Sequence, residues 1–214
     1  VDCRFDVGGD AGRGERDWRA SHLPGAVYAH LDRDLADLSV SGRGRHPLPS
    51  EAAFAATLLR WGIRPEDQVI VYDDGPGAMA ARLRWLLRLA GHARVAVLDG
   101  GIAAWRAAGL GEESTMPDPA PSTYRVHFDA AALADSAAVT AMRMDPASLL
   151  LDARAAPRFR GEVEPIDPVA GHVPGARNRA FSENLDASGR FKPASQLRDE
   201  FMTLLGGRLP TDVV

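Results

Sequence analysis

The residues best placed to do chemistry are two adjacent carboxylates, Asp73 and Asp74, which follow an apolar run and open a glycine-bearing loop. A strand that ends in such a loop before a helix is the usual place for a ligand site in an α/β fold. Phosphate-transfer and Mg²⁺ sites of this kind use alternating carboxylates, whereas this pair is adjacent and is followed by Gly-Pro-Gly. The pair therefore argues against both of those chemistries.

The one cysteine, Cys3, is the other candidate nucleophile. It lies within a predicted strand beside Asp2 rather than on a loop, so we expect a buried, unreactive thiol. A single cysteine excludes an intramolecular disulfide and a cysteine-rich metal site. It suits a reducing compartment, and we expect a cytoplasmic protein.

A repeat organises the chain around these residues. The motif His-x-Pro-Gly-Ala occurs at His22 and again at His172, an offset of 150 positions, and the same offset carries Asp2 onto Asp152 and Arg4 onto Arg154. Three matches in one register indicate two copies of one α/β unit. Because both histidines recur in a turn, we expect them to be architectural.

Hydrophobic periodicity predicts the strands and helices that position the loop at Asp73 and Asp74. In copy one it predicts strands over 68–72 and 95–98 and helices over 15–20, 51–61, 78–89 and 102–108, with a polar loop over 32–49. In copy two it predicts a helix within 130–142, a strand over 149–152 and a helix over 195–205. Alternating strands and helices of this kind are typical of parallel sheets.

Composition and charge pattern argue against several classes of partner. Lys and Arg total 25 against 29 Asp and Glu, a net charge of −4, and the arginines are scattered, so a nucleic-acid partner is not expected. No apolar run approaches the ~20 residues of a membrane span, so no membrane partner is expected. No heptad pattern is present either, and we expect a monomer.

The repeated motifs occur together with three further elements in copy one: Tyr72-Asp73, the run Ala-Arg-Leu-Arg-Trp at 81–85, and Leu-Asp-Gly-Gly-x-x-x-Trp at 98–105. This set resembles the two-domain rhodanese family, the thiosulfate and 3-mercaptopyruvate sulfurtransferases, over essentially the whole chain. The resemblance implies tandem rhodanese-like domains, each a parallel sheet flanked by helices. It implies an inactive domain over 1–110, a linker over 111–122 and a domain of the catalytic type over 123–214.

In that family a loop cysteine of the second domain takes a sulfane sulfur from a donor, becomes a persulfide and passes the sulfur to a thiophilic acceptor. The matching loop position in copy one is Asp73, which cannot form a persulfide. The counterpart in copy two is expected just after Val214, so the resemblance implies that domain two is incomplete before its cysteine loop. No metal or organic cofactor is implied, and the partners are a small anionic sulfur donor and a thiol or cyanide acceptor.

Site residues follow from the same resemblance. Arg158, and less directly Arg160, match arginines that hold the anionic donor, a role suited to a guanidinium. The structural alternative for Arg158 is an ion pair with Asp152 or Glu162. Asp32 and His46 match positions that assist proton transfer, unless His46 is a loop histidine without a role. Residues 164–168 lack the further arginine of many mercaptopyruvate-using relatives, a departure that argues against a preference for mercaptopyruvate and leaves both donors open.

Two other functions remain open at this point. A rhodanese-like module without the cysteine would be a binding or regulatory domain. A related phosphatase loop has one more residue and binds phosphate in a larger ring. The residues that follow Val214 separate all three.

Overall fold

A computed structural model describes all residues from Val1 to Val214, and they form two compact units, Val1–Ala130 and Ala131–Val214. Each unit contains a small parallel sheet with helices around it, as expected for an α/β chain. None of the helices is both long and apolar enough to cross a membrane.

The first unit contains two strands and five helices: β1 (Val69–Val71), β2 (Val95–Val97), α1 (Arg13–Ala20), α2 (Leu31–Asp34), α3 (Glu51–Arg60), α4 (Ala78–Leu89) and α5 (Gly101–Ala107). The two strands pair in parallel, with Val69 opposite Val95. Single-residue parallel bridges join Asp2 to Tyr72 on one side and to Tyr28 on the other, which extends the parallel arrangement to the start of the chain. The ends of these segments therefore lie along one edge.

Capping and apolar spacing explain the two long helices of this unit. Ser50 caps α3, since its hydroxyl accepts from the backbone N–H of Ala53 at 3.2 Å, and Phe54 and Leu58 on one face are fully buried. Leu83, Leu86 and Leu87 of α4 are also fully buried. The two helices supply much of the hydrophobic core of the first unit.

The segment after the proline-bearing stretch also packs on the first unit. Tyr124, Val126 and Phe128 lie against its core, and the hydroxyl of Ser122 donates to the carbonyl of Ile63 at 2.6 Å. Apolar contacts from these residues therefore extend the first core to the end of that unit.

The predicted loop over 32–49 is wrong at its start, because Asp32 lies in the single-turn helix α2. His30 Nδ1 accepts from the backbone N–H of Asp32 at 3.2 Å, and the Asp34 carboxylate accepts from the backbone N–H of His30 at 2.8 Å. These reciprocal bonds fix one turn, and burial of Leu31 and Leu35 holds it on the core. Residues 35–49 are irregular, as predicted.

The second unit contains two strands and three helices: β3 (Leu151–Asp152), β4 (Arg177–Asn178), α6 (Ser136–Met142), α7 (Ala156–Phe159) and α8 (Ala194–Leu205). β3 pairs with β4 in parallel, and Leu149 forms a parallel bridge with Val213. Leu149 and Leu205 are buried in this unit.

The repeated Asp-x-Arg motif makes the same contacts in both units. Nη2 of Arg4 donates to Asp2 Oδ2 at 2.7 Å and to the carbonyl of Ser21 at 2.6 Å. Nη2 of Arg154 donates to Asp152 Oδ2 at 2.5 Å and to the carbonyl of Gly171 at 2.7 Å. Each arginine thus ties its own Asp-x-Arg segment to the residue before the repeated histidine.

Sheet register also relates the two units. The Val1 nitrogen donates to the carbonyl of Ile70 at 2.6 Å, and the Leu151 N–H, 150 positions later, donates to the carbonyl of Val214 at 2.7 Å. Val214 therefore corresponds to Ile70. In the first unit, Ile70 lies three positions before Asp73.

Candidate functional site

The loop between β1 and α4 encloses a carboxylate. Asp73 Oδ1 accepts from the backbone N–H groups of Gly75 and Gly77 at 3.0 and 3.1 Å. Its Oδ2 accepts from those of Met79 and Ala80, both at 3.0 Å. Asp73 is buried, and four amide donors from the loop and the first turn of α4 converge on its charge. The geometry is that of an anion site at a helix N-terminus, filled by a side chain of the chain itself.

Two glycines allow this loop its shape. Gly77 caps α4 with φ +84°, a left-handed conformation that favours glycine. Gly101 lies so close to the loop that a Cβ atom there would come within 2.3 Å of the carbonyl oxygen of Asp73. The Gly100-Gly101 pair singled out in the sequence therefore lets α5 approach the back of the Asp73 loop.

A buried hydrogen-bond network supports the loop from behind. The hydroxyl of Tyr72 donates to Asp2 Oδ2 at 2.9 Å and accepts from the backbone N–H of Leu23 at 3.1 Å. Burial, followed by the charge of Asp2, raises the pKa of Tyr72, so the phenol remains protonated. Tyr72 thus links the strand before the loop to the first His-x-Pro-Gly-Ala turn.

The predicted assisting pair, Asp32 and His46, is brought together in the first unit. His46 Nε2 lies 3.2 Å from Asp32 Oδ1, and both side chains are partly exposed. Burial lowers the pKa of His46, and the charge of Asp32 acts in the opposite direction. Nη2 of Arg82, on α4, donates to the carbonyls of His46 and Leu35 at 3.2 and 3.0 Å, which holds this segment on the helix that follows the Asp73 loop.

Arg158 lies on α7 in the second unit, with 20% of its side chain exposed. Its Nη2 donates to Glu164 Oε1 and to Asp167 Oδ2, both at 2.8 Å, and its Nε donates to Glu164 Oε2 at 3.2 Å. The alternative partners named from the sequence, Asp152 and Glu162, are wrong, because a turn over 164–167 folds back onto the guanidinium. Its proposed donor contact stays a prediction.

Arg160 does not share the partners of Arg158. Its guanidinium pairs with Glu162, with 2.7 Å between Nε and Oε1, and both side chains are more than half exposed. An exposed pair of this kind contributes little to stability. The structure therefore gives Arg160 and Arg158 separate sets of partners.

Sequence reasoning missed Glu164. Only 5% of its side chain is exposed, and it accepts from the backbone N–H groups of Asp167 at 3.0 Å and Ile166 at 3.1 Å as well as from Arg158. These bonds, the Asp167 amide first and Arg158 next, lower the pKa of Glu164 to about 2. The signal was a carboxylate before proline, repeated as Glu164-Pro165 and Asp167-Pro168, which is typical of a turn.

Cys3 is buried within the first unit, as predicted. Burial raises the pKa of its thiol, which disfavours the reactive thiolate at neutral pH. The two repeated histidines are structural, also as predicted: Nδ1 of His22 lies 2.6 Å from the carbonyl of Trp18, and Nδ1 of His172 lies 2.7 Å from that of Phe159. Each imidazole stacks on the same aromatic residue that it contacts.

No group of three or more histidine, cysteine or carboxylate side chains is arranged to hold a metal ion anywhere in the described chain.

Known proteins resemble this chain in sequence and in fold. The family described as "Rhodanese-like domain" matches residues 1–108. A "Probable 3-mercaptopyruvate sulfurtransferase" of Pseudomonas aeruginosa is 50% identical over 214 residues, 99% of this chain and 75% of that protein. The chain belongs to the rhodanese family.

Other rhodanese relatives agree with this assignment. A "Putative thiosulfate sulfurtransferase SseB" of Mycobacterium tuberculosis is 44% identical over 192 residues, which cover 89% of this chain and 67% of the relative. The structure of a 3-mercaptopyruvate sulfurtransferase from Leishmania major superposes with a TM-score of 0.80 at 33% identity, over 95% of this chain and 57% of that one. The structure of SseA from Escherichia coli gives a TM-score of 0.82 at 28% identity, over 94% of this chain and 75% of that one.

The expectation of an α/β rhodanese fold with two small parallel sheets is therefore confirmed. The chain spans between about half and three quarters of the length of these relatives.

Proposed function

We propose that the protein containing this chain is a sulfurtransferase. It moves a sulfane sulfur from thiosulfate or 3-mercaptopyruvate to cyanide or a thiol acceptor through a cysteine persulfide. The donor and acceptor are small molecules, the protein acts as a monomer, and the reducing environment of the cytoplasm suits its chemistry.

The observation that carries this proposal is the set of four amide donors around Asp73. The same loop around a cysteine would stabilise a thiolate and lower the pKa of its thiol, because amide N–H groups and a helix N-terminus both favour negative charge. With a carboxylate at this position, the first unit has no sulfur carrier.

The second unit supplies the carrier in this proposal. Because Val214 corresponds to Ile70 in the sheet register, we expect the counterpart of Asp73 at the third position after Val214 and assign the catalytic cysteine to that loop. The thiolate attacks the outer sulfur of thiosulfate, the S–S bond breaks and sulfite leaves. Cyanide then attacks the outer persulfide sulfur, which releases thiocyanate and restores the thiolate.

The other predicted residues take roles around this step. Arg158, with Arg160 as a weaker candidate, contacts the anionic part of the donor. With 3-mercaptopyruvate the C–S bond breaks and the pyruvate enolate must gain a proton, a transfer that His46 paired with Asp32 is suited to assist.

The test is thiocyanate formation from thiosulfate and cyanide, and pyruvate formation from 3-mercaptopyruvate, by the full-length protein. We expect turnover with at least one donor and its loss when the loop cysteine three positions after Val214 is changed to serine. Cys3→Ser is the matched control and should retain full activity, and the 214-residue chain alone should show none. Turnover that survives the loop substitution would contradict the assignment of that cysteine as the sulfur carrier. The absence of turnover with either donor would favour the binding module instead.

A further inference from the structure

The guanidinium of Arg158 already binds two carboxylates of its own chain. Glu164 accepts a hydrogen bond from Nε at 3.2 Å and one from Nη2 at 2.8 Å. Asp167 Oδ2 accepts from the same Nη2 at 2.8 Å. Since Nη2 has two N–H groups, one directed at each carboxylate, an anion that binds this nitrogen must replace one of them or share it.

The two carboxylates differ in how easily they are replaced. Glu164 has 5% of its side chain exposed and also accepts two backbone N–H groups, so its removal would break three sets of hydrogen bonds, those of Arg158, Ile166 and Asp167. Asp167 has 36% of its side chain exposed. Asp167 is therefore the partner that an incoming anion meets first.

The charge around Arg158 is negative on balance. Arg154 and Arg158 contribute two positive charges, while Asp152, Glu164 and Asp167 contribute three negative ones. The low pKa of Glu164 keeps it ionised at neutral pH. A donor that approaches Arg158 thus meets a repulsion that grows in proportion to its own charge.

We propose that Asp167 is a specificity-determining residue of the donor site: its carboxylate competes with the donor for Arg158 and disfavours dianions more than monoanions. The inference rests on the proposed function, because the competing ligand is the anionic donor of that reaction. It assigns to Asp167 a role that sequence reasoning did not give it.

The test measures equilibrium binding of two unreactive probes, sulfate as a dianion and pyruvate as a monoanion, to the full-length protein by titration calorimetry at constant ionic strength. In Asp167→Asn we expect the Kd of sulfate to fall about tenfold and that of pyruvate about threefold, since doubling the ligand charge doubles the change in log Kd. Asparagine keeps the side-chain volume and removes the charge.

The matched control is Glu162→Gln, which removes one negative charge from the same segment but from a side chain that pairs with Arg160. It should change either Kd by less than twofold, and Arg158→Ala should abolish binding of both probes. Equal effects of Asp167→Asn on the two probes, an equal effect of Glu162→Gln, or no binding in either protein would overturn the proposal.

The binding test separates this inference from the proposed function. Probe discrimination without sulfur transfer would show that Asp167 competes with anions for Arg158 and would remove the sulfurtransferase activity. Sulfur transfer with no discrimination between the probes would support the sulfurtransferase activity and remove the proposed role of Asp167.

Discussion

His46 Nε2 lies 3.2 Å from the Oδ1 atom of Asp32, at the surface of the first unit. Burial lowers the pKa of His46 and Asp32 partly offsets that effect. Since the folded-state pKa lies below the ordinary value of 6.5, this histidine contributes stability that is present above pH 6.5 and is lost as the pH falls from 6.5 through the folded-state pKa. The imidazole of His46 is therefore mostly neutral near pH 7.

Replacing Asp32 by asparagine removes the carboxylate whose charge raises the pKa of His46, so that pKa should fall further. An NMR titration of the His46 ring protons measures it. Asp37→Asn is the control, because Asp37 lies on the same segment but accepts from Ser39 instead. An unchanged or higher pKa in Asp32→Asn would show that the pair does not interact in solution.

The amide donors around Asp73 predict a large loss of stability on its removal. Asp73→Ala leaves four buried or partly buried N–H groups without their acceptor and should lower the free energy of unfolding by about 3 kcal/mol. Urea unfolding followed by tryptophan fluorescence isolates the first unit, because all four tryptophans lie in it. Asp74→Ala, which removes only a surface pair with Arg13, should cost less than about 1 kcal/mol. Similar losses for the two variants would contradict the carboxylate's place in the loop.

The repeated arginines offer a matched comparison. The Arg4–Asp2 pair is almost fully buried, whereas the Arg154 side chain is 29% exposed. Arg4→Met leaves Asp2 charged and buried, so it should cost about 3–5 kcal/mol, and Arg154→Met should cost distinctly less. Urea unfolding followed by circular dichroism compares them, and a larger loss for Arg154→Met would show that burial does not set the cost.

Cys3 should not react in the folded protein. Its burial and raised pKa predict less than 10% labelling by a thiol reagent such as dithionitrobenzoate under native conditions, and full labelling in urea. The 214-residue chain serves for this assay, since Cys3 is its single thiol. Rapid labelling of the native chain would mean that the N-terminal segment around Cys3 opens readily.

Loss of Arg158 should weaken sulfur transfer by the full-length protein. Arg158→Ala should lower kcat/KM for thiosulfate by about 30-fold, the equivalent of ~2 kcal/mol for a charged hydrogen bond. Arg198→Ala, on the exposed face of α8, is the surface control and should leave kcat/KM within twofold of the parent. Equal kcat/KM for the Arg158 variant and the parent would remove this residue from the donor site.

Much of this architecture could be read from local sequence. Helix α4 occupies the predicted residues, Ala78–Leu89. The preceding glycine marks its start, and the spacing of its apolar residues predicts its buried face. The Asp-x-Arg and His-x-Pro-Gly-Ala repeats predicted two equivalent networks, and both formed. Helix α2 was missed, because its stability comes from the reciprocal bonds of His30 and Asp34 rather than from periodicity.

The partners of Arg158 could not be read in the same way. Glu162 is nearer in sequence and Asp152 is as near as Glu164, yet the turn over 164–167 brings Glu164 and Asp167 to the guanidinium. Likewise, the loop predicted a place for a ligand but not that Asp73 would accept four N–H groups with its own carboxylate. Both arrangements depend on backbone direction, which residue spacing alone does not specify.

The carboxylate at Asp73 has one more consequence. A thiolate in such a loop is open to peroxide and can be carried irreversibly to sulfinic or sulfonic acid, whereas a carboxylate has no such chemistry. The loop of the first unit therefore keeps its charge and its hydrogen bonds under oxidative stress.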